Sequence, residues 1–458
     1  MTKPSGGSGA EPPPTGWAPG PEGAPAAGRL TGQRAAQGEQ SAVESSLTGE
    51  PPPTGWAPAG QKSALILAPE APYPAVGGGA LRTASLVEYL ARRYTLDLII
   101  FHEPGAPDPR DAFPPALARR IDVLELSRHS RSALARAGRN LVRFARGVPP
   151  LNDRFAGHQR ALARLVAGRS YDFALIEHSW CAPYVEQLGA VSRRVALDLH
   201  NIESVLAART AEVEGPLAAL LFTRFALASA ALERRWLPRF ALTLATSEQD
   251  ASRCRDLAPA AAVQVYPNAI PWRPLPKPQK EEAIVFSGNL EYHPNRAAVK
   301  FFARKVWPKL RERWPRLRWR LVGKNPQSVR GFLGKDPRIE LTGPVEDAIG
   351  ELARARVAVA PMLSGSGTRV KILEAWAAGL PVVSTAIGAE GLDARDGDHL
   401  MLADTAEAIR EAVSVLLGSP GRREELGGAA RRLFERKYTW EAAWSKLDEA
   451  GLWPGVVK

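Results

Sequence analysis

The chain reads as an α/β protein made of two parallel-sheet domains, and three observations predict this. Short apolar runs of buried-strand length recur along the chain, separated by helical or loop stretches. The stretch Pro361–Gly391, PMLSGSGTRVKILEAWAAGLPVVSTAIGAEG, reads as loop, helix and strand behind a buried VAVA strand at Val357–Ala360. A segment dense in proline and charge, residues 272–282, divides the elements into two sets as a semi-rigid linker would.

Composition bounds the function. The chain has 458 residues, 45% of them hydrophobic, enough for two or three cored domains. Its two cysteines, Cys181 and Cys254, lie far apart without metal spacing, which argues against a disulfide framework or zinc site and favours a reducing cytoplasm. No apolar segment follows a basic start, so no signal peptide is expected. The longest apolar run, Gly215–Leu232, is interrupted by Arg224 and is predicted to be a core helix rather than a membrane span. Net charge is +12; the first 60 residues hold three basic and five acidic side chains, so the remainder carries +14. That surplus suits anionic partners such as sugar nucleotides, lipid phosphates or a membrane face. Nucleic acid is not expected, because zinc-finger spacing and aromatic-studded basic strands are both missing.

Residues 1–61 are rich in Pro, Gly, Ala, Ser and Gln and are predicted to be a disordered extension. EPPPTGWAP occurs there twice, at Glu11–Pro19 and Glu50–Pro58, either as a polyproline ligand with a Trp anchor or as a duplicated linker. The first domain, 62–271, opens with a strand, a glycine loop at Gly77–Gly79 and a helix to about Arg93. A dinucleotide fingerprint fails, since Arg82 stands where the third glycine belongs. Strands are predicted at Leu96–Phe101, Ile121–Leu126, Phe173–Glu177, Val195–Leu199, Ala241–Ala245 and Val263–Tyr266. In the helix predicted over Ser127–Arg146, Arg136, Arg139, Arg143 and Arg146 share one face and Leu134, Ala137, Leu141, Phe144 and Ala145 the other. Such a helix without acidic residues lies either on an anionic bilayer or on a sheet with its basic face solvated. His178 and His200 each end a predicted strand, where cleft-lining residues sit, with Glu203 and Asp198 candidates to orient His200. Gly215-Pro216 splits the long helical stretch that follows, and Ser247 marks a helix start.

The second domain, 283–437, opens with AIVFSGNL, and Pro308 is expected to kink or end its first helix. Thr405 caps a later helix, Pro420 starts another, and Trp440, Trp444 and Trp453 mark a terminal helix in 438–458. The chemistry concentrates in the Pro361–Gly391 stretch. A helix is predicted from about Arg369 to Ala378, with Gly379 past its end and Pro381 preventing continuation. Arg369 and Lys371 then stand at the positive end of the helix dipole, where a cation costs up to about 1 kcal/mol. A bound anion would reverse that sign, and the N–H groups of Gly365, Ser366, Gly367 and Thr368 would complete a phosphate cradle. Glu374, three residues after Lys371, can accept hydrogen bonds from a vicinal diol such as a ribose; alternatively Lys371 and Glu374 form a surface ion pair.

The longer pattern G-x-G-T-R-x-K-I-L-E-A-x-A-x-G-x-P-V-V-S-T-x-x-G-x-E-G resembles the donor-binding motif of retaining glycosyltransferases of family four. The resemblance spans residues 63 to about 450 and is strongest over 357–391. It implies the GT-B fold, two facing Rossmann-like domains about a central cleft, with the last helix crossing back to the first domain. It also implies a nucleoside diphosphate sugar as donor, with Arg369 and Lys371 on the diphosphate and Glu374 on the ribose. Gly77, Gly78 and Gly79 would face the diphosphate across the cleft, beside Gly288 and the Gly365–Thr368 loop. His178 would lie near the sugar ring and His200 on the acceptor side. Most members carry a Glu eight residues before the equivalent of Glu374; here Ser366 occupies that place, as in a subgroup with S-G-x-G-T-R-x-K. The Arg and Lys common after the first strand of the second domain are replaced by Gly288-Asn289-Leu290 and Tyr292–Asn295.

The expected activity is therefore glycosyl transfer to a hydroxyl, with retention, in exopolysaccharide or cell-envelope glycan synthesis. No resident cofactor or metal is expected, and no Asp-x-Asp is read as a divalent-ion site. The basic helix suggests a lipid-linked glycan acceptor and peripheral contact at the inner face of the plasma membrane. The alternatives are a sugar-nucleotide 2-epimerase with the same cleft, and a catalytically silent scaffold binding partners through its Pro-rich arm.

Overall fold

The computed structural model describes residues 62–128, 132–365 and 369–449, the side chains of residues 133 and 136 excepted. Both EPPPTGWAP copies, the Arg136 side chain, Ser366, Gly367, Thr368 and Trp453 lie outside the described residues.

The first sheet has seven strands: β1 (Ser63–Ala68), β2 (Thr95–His102), β3 (Arg120–Glu125), β4 (Phe173–Glu177), β5 (Val195–Asp198), β6 (Leu242–Ala245) and β7 (Val263–Val265), in the order β3-β2-β1-β4-β5-β6-β7. The second has six: β8 (Ala283–Ser287), β9 (Arg318–Val322), β10 (Ile339–Gly343), β11 (Val357–Ala360), β12 (Val382–Ser384) and β13 (Met401–Leu402), in the order β10-β9-β8-β11-β12-β13. Every pairing between these strands is parallel. Parallel strands are covered on both faces, which is why the central ones are apolar over most of their length. Leu65, Leu67 and Ile176 pack under Tyr184 and Leu188, while Ala64, Ile66 and Leu98 pack under Tyr89 and Trp444. In the second sheet Phe286 and Trp319 meet Val306 and Leu416 on one face, and Val285 and Ala358 meet Trp376 and Phe434 on the other.

Local signals fix the helix ends. Ser247, Thr405 and Ser419 each accept a backbone N–H three residues on. Gly379 takes the left-handed conformation, φ 68°, after the Val370–Ala377 helix, and the Arg431 guanidinium donates to the Ala377 carbonyl at that same end. The helix after β8 is not ended by Pro308. It runs through a π segment, Phe302–Val306, into Trp307–Arg313, because a proline in the first turn of the new α segment has no N–H to lose.

Two expectations need correction. The apolar run beginning at Gly215 forms the helix Pro216–Trp236, but it is not a core helix. Only Phe225, Ser229, Glu233 and Trp236 are buried, while Leu217 is 88% and Leu227 64% exposed. By length and composition alone its segment Pro216–Arg239 could cross a membrane. The helix Ala133–Arg146 is also not a sheet-covering helix with a solvated basic face. Arg143 turns inward to Asp153 at 2.9 Å, while Leu134 (87% exposed), Leu141 and Val142 face solvent. No described side chain of residues 133–146 joins the sheet cores, so most of the apolar face looks outward, while the basic face is split between the tucked-in Arg143 and the exposed Arg146.

The chain passes between the domains twice. After Ile270 it enters the second domain, where Leu275 packs on Gly379 and Lys280 Nζ donates to the Ala353 carbonyl at 2.7 Å. It returns through an Ile270–Thr439 bridge into the helix Trp440–Glu449. Trp444 Nε1 donates to the Ser85 carbonyl (3.1 Å), and Tyr89 Oη donates to Asp448 (2.7 Å).

Candidate functional site

A crevice opens in a parallel sheet where the strand order reverses, at the carboxyl ends of the strands. That point lies between β1 and β4 in the first sheet and between β8 and β11 in the second. Gly77–Gly79 follow β1, His178 follows β4, Gly288 follows β8, and Ser364 and Gly365 lie beyond β11. The two edges face each other: a Cβ on Gly78 would lie 3.2 Å from Cγ2 of Val370, in the first turn of the Val370–Ala377 helix.

On the second-domain side Arg369 is the N-cap of that helix and Lys371 lies in its first turn. Lys371 Nζ donates to Asn295 Oδ1 at 2.6 Å and sits 4.1 Å above the Phe286 ring. Burial, and then the neighbouring Arg369, bring its pKa down to about 7. Glu374 accepts from Ser287 Oγ at 3.0 Å, and burial raises its pKa. Lys371 and Glu374 thus have separate partners and make no surface ion pair. Gly288, at φ 137°, brings its backbone to Lys371: a Cβ there would lie 3.2 Å from Nζ. Gly365, at φ 131°, carries the Arg369 guanidinium against its α carbon. Burial lowers the pKa of Arg369.

On the first-domain side His200 Nε2 lies 2.7 Å from Glu177 Oε2 and 3.2 Å from Asp198 Oδ2. Arg82 grips Asp198 with Nε at 2.7 Å and Nη2 at 2.5 Å, and also donates to the Tyr266 carbonyl and Asn268. Two carboxyl groups, one guanidinium and one imidazole form a buried cluster in which burial and Asp198 raise the Glu177 pKa. Desolvation opposes the His200 charge, but the two carboxylates prevail and raise its pKa to about 9. His178 lies tilted by 35° over His200 at 3.7 Å and stacks on Trp180 at 4.0 Å. Burial and the adjacent His200 cation hold His178 neutral, well below the ordinary histidine range. Its φ of 65° is unusual for a residue with a Cβ, a strain typical of functional positions. A neutral imidazole at the cleft can exchange hydrogen bonds with a sugar hydroxyl, and the cation behind it polarises that contact.

The geometry adds residues that sequence reasoning passed over. Asn295 holds Lys371. Glu177, rather than Glu203, shares His200 with Asp198. Arg82, noted only for spoiling a fingerprint, is the cation that lets Asp198 stay charged. The one available signal was a charged residue closing an apolar strand, as in FALIE and VALD. Among the described residues Glu177, Asp198 and His200 are also close enough to hold a metal ion, but Arg82 and His200 already supply the positive charge these carboxylates need. An Asp-x-Asp does occur, Asp396-Gly397-Asp398; Asp396 accepts from the Leu402 N–H and Asp398 pairs with Arg395, so it is spent on a turn.

Residues 281–419 match the family model described as Glycosyl transferases group 1. Over 112 residues, 23% of the chain, the sequence is 33% identical to an exopolysaccharide phosphotransferase of Streptomyces coelicolor, covering 12% of that protein's length. The whole fold superposes on sucrose-phosphate synthase from Thermosynechococcus elongatus, with TM-score 0.65, 17% identity, 85% of this chain and 98% of the other. The architecture is GT-B. The second GT-B domain accordingly carries the glycosyl transferases group 1 segment. A further GT-B likeness is to Anabaena HepE in complex with UDP and glucose, with TM-score 0.58, 13% identity, 84% of this chain and 98% of that one. An E. coli trehalose-6-phosphate protein bound with UDP-2-fluoro glucose gives 0.57 and 14%, covering 85% and 99%.

Proposed function

We propose that the protein transfers a glycosyl group, with retention, from a nucleoside diphosphate sugar to a hydroxyl acceptor. The observation that carries this is that the N-terminus of the Val370–Ala377 helix, with Arg369 as its N-cap and Lys371 in its first turn, meets the Gly77–Gly79 loop across the cleft, Val370 lying against Gly78. As the anomeric C–O bond breaks, its electron pair passes to the β-phosphate and positive character grows on the anomeric carbon. Cations and N–H groups fixed at the leaving group stabilise that charge by several kcal/mol, about 3–4 per donor in well-studied cases. They supply positive charge without requiring a divalent ion. The acceptor oxygen attacks from the face the phosphate leaves, and the departing phosphate takes its proton. Glu374 binds the ribose, His178 the sugar and His200 orders the acceptor side. Ser366 in place of the family's Glu leaves the sugar to be recognised by other groups.

The S. coelicolor relative's name supports a role in exopolysaccharide or envelope glycan synthesis. The outward leucines of the helices Ala133–Arg146 and Pro216–Trp236 support a lipid-linked acceptor met at the inner face of the plasma membrane. A thermal-shift panel of UDP-, GDP- and ADP-sugars, followed by turnover with the best donor, tests the donor site. Arg369→Ala and Lys371→Ala are each expected to lower turnover by roughly two orders of magnitude. Near-normal turnover in both would refute the phosphate assignment.

A further inference from the structure

The cleft is bridged by a cluster that the reaction above leaves unused. Glu390 follows the short helix Ala386–Ala389 in the second domain and is largely buried. Two first-domain arginines reach it. Arg209, on the helix Glu203–Val213, makes a two-pronged contact, and Arg253, on the helix Glu248–Leu257, donates from Nη2 at 2.7 Å. Arg253 is set in place by Asp250, itself held by Thr246 and Ser247. The two arginines hold the Glu390 carboxylate down at about 2, so it stays ionised. Arg209 does one thing more: its Nη1 donates to the Gly365 carbonyl at 2.9 Å. Gly365 is the residue whose α carbon supports the Arg369 guanidinium.

We infer that Arg209 is a positioning residue that couples closure of the cleft to the placement of Arg369, with Glu390 and Arg253 as the latch that holds the cleft closed. Arg209 and Glu390 belong to different domains, so their contact exists only while the edges meet. When they meet, the Gly365 carbonyl gains a charged donor and the support beneath Arg369 is fixed. When they part, Gly365 loses that donor, Arg209 and Glu390 return to water, and Arg253 keeps only Asp250. Closure and assembly of the diphosphate pocket are thereby one event. A planar fork suits this, since it binds a carboxylate with one edge and a carbonyl with the same Nη1. Glu214 pairing with His293 is a further contact between the domains, away from Gly365.

The inference rests on the donor-site reading above, and the experiment separates the two. Small-angle scattering on the ligand-free full chain compares wild type with Arg209→Ala, Arg253→Ala and Glu390→Gln. Each variant is expected to shift the population toward a wider cleft; profiles superimposable on wild type in all three would overturn the latch. Calorimetry with UDP then reads positioning. Arg209→Ala should weaken binding at least tenfold, whereas Arg253→Ala, which touches Glu390 but not Gly365, should cost less than threefold. Equal losses would overturn the role of Arg209 at Gly365. Wild type that binds no UDP, GDP or ADP would sink the donor-site reading instead, and the scattering would still decide the latch. If Arg209→Ala does not fold, Arg209→Lys keeps the charge without the fork and should show the same loss in UDP affinity.

Discussion

At the scale of single residues, two protons carry testable consequences. Lys371 has a pKa of about 7 in its buried pocket, so its neutral amine is populated near neutral pH. A bound diphosphate favours the ammonium and raises that pKa. Nucleotide binding between pH 7 and 9 is therefore expected to take up protons and to weaken as pH rises. Calorimetry in buffers of different ionisation heat checks the uptake, and Lys371→Met should abolish it. His200 is the second case. Its pKa is raised from 6.5 to about 9 by Glu177 and Asp198. A raised histidine gives stability that is complete below the unfolded pKa and is lost as pH rises through the folded one. Stability in urea should fall between pH 7 and 10, and Glu177→Gln should move that fall to lower pH. A stability flat across this window would mean that His200 carries no proton in the cluster.

At the scale of elements, the terminal helix shows how local pattern and tertiary contact divide the work. Its apolar spacing marks Trp440 and Trp444 as buried, but the core that takes them belongs to the first domain, 359 residues earlier in sequence by the Ser85–Trp444 contact. Trp444→Ala is expected to cost about 3–5 kcal/mol, because it removes a large buried ring. Denaturant unfolding measures it. A loss under 1 kcal/mol would show that the helix is only loosely held. The β8 and β9 loops make the opposite point. Gly323 lies so close to Gly288 that a Cβ would stand 2.0 Å from the Gly288 oxygen, an approach between chain segments that no local pattern announces.

At the scale of the whole molecule, the distribution of apolar surface sets the remaining prediction. Helix periodicity showed that residues 133–146 have an apolar face, but only the packed structure shows that most of this face looks outward, with Leu134, Ala137, Leu141 and Ala145 exposed and Phe144 half-buried. The helix Pro216–Trp236 exposes Leu217, Leu220 and Leu227, and its Arg224 lies against Gly147 at the end of the first helix. Paired with a surplus of +14 outside the first 60 residues, this favours an anionic lipid surface. The protein is expected to sediment with vesicles containing anionic lipid and not with neutral ones, less so at high salt. Leu134→Glu with Leu141→Glu should remove the binding. Equal binding to both kinds of vesicle, or none to either, would end this reading.

The sequence by itself determined the α/β class, the strand positions to within a residue or two, and the helix caps at Ser247, Thr405 and Gly379. These follow from side-chain period, the φ preferences of Gly and Pro, and hydrogen bonds between residues a turn apart, all of which act locally. It also singled out Arg369, Lys371, Glu374, His178 and His200 as residues with chemistry to perform. Only the tertiary structure decided what surrounds them: Asn295 on Lys371, Ser287 on Glu374, Glu177 and Arg82 around the histidines, and Arg209 reaching across to Gly365. Those partners are 20 or more positions apart, and a charge finds its counter-charge through space. Burial then sets how strongly each pair couples, and burial belongs to the whole fold.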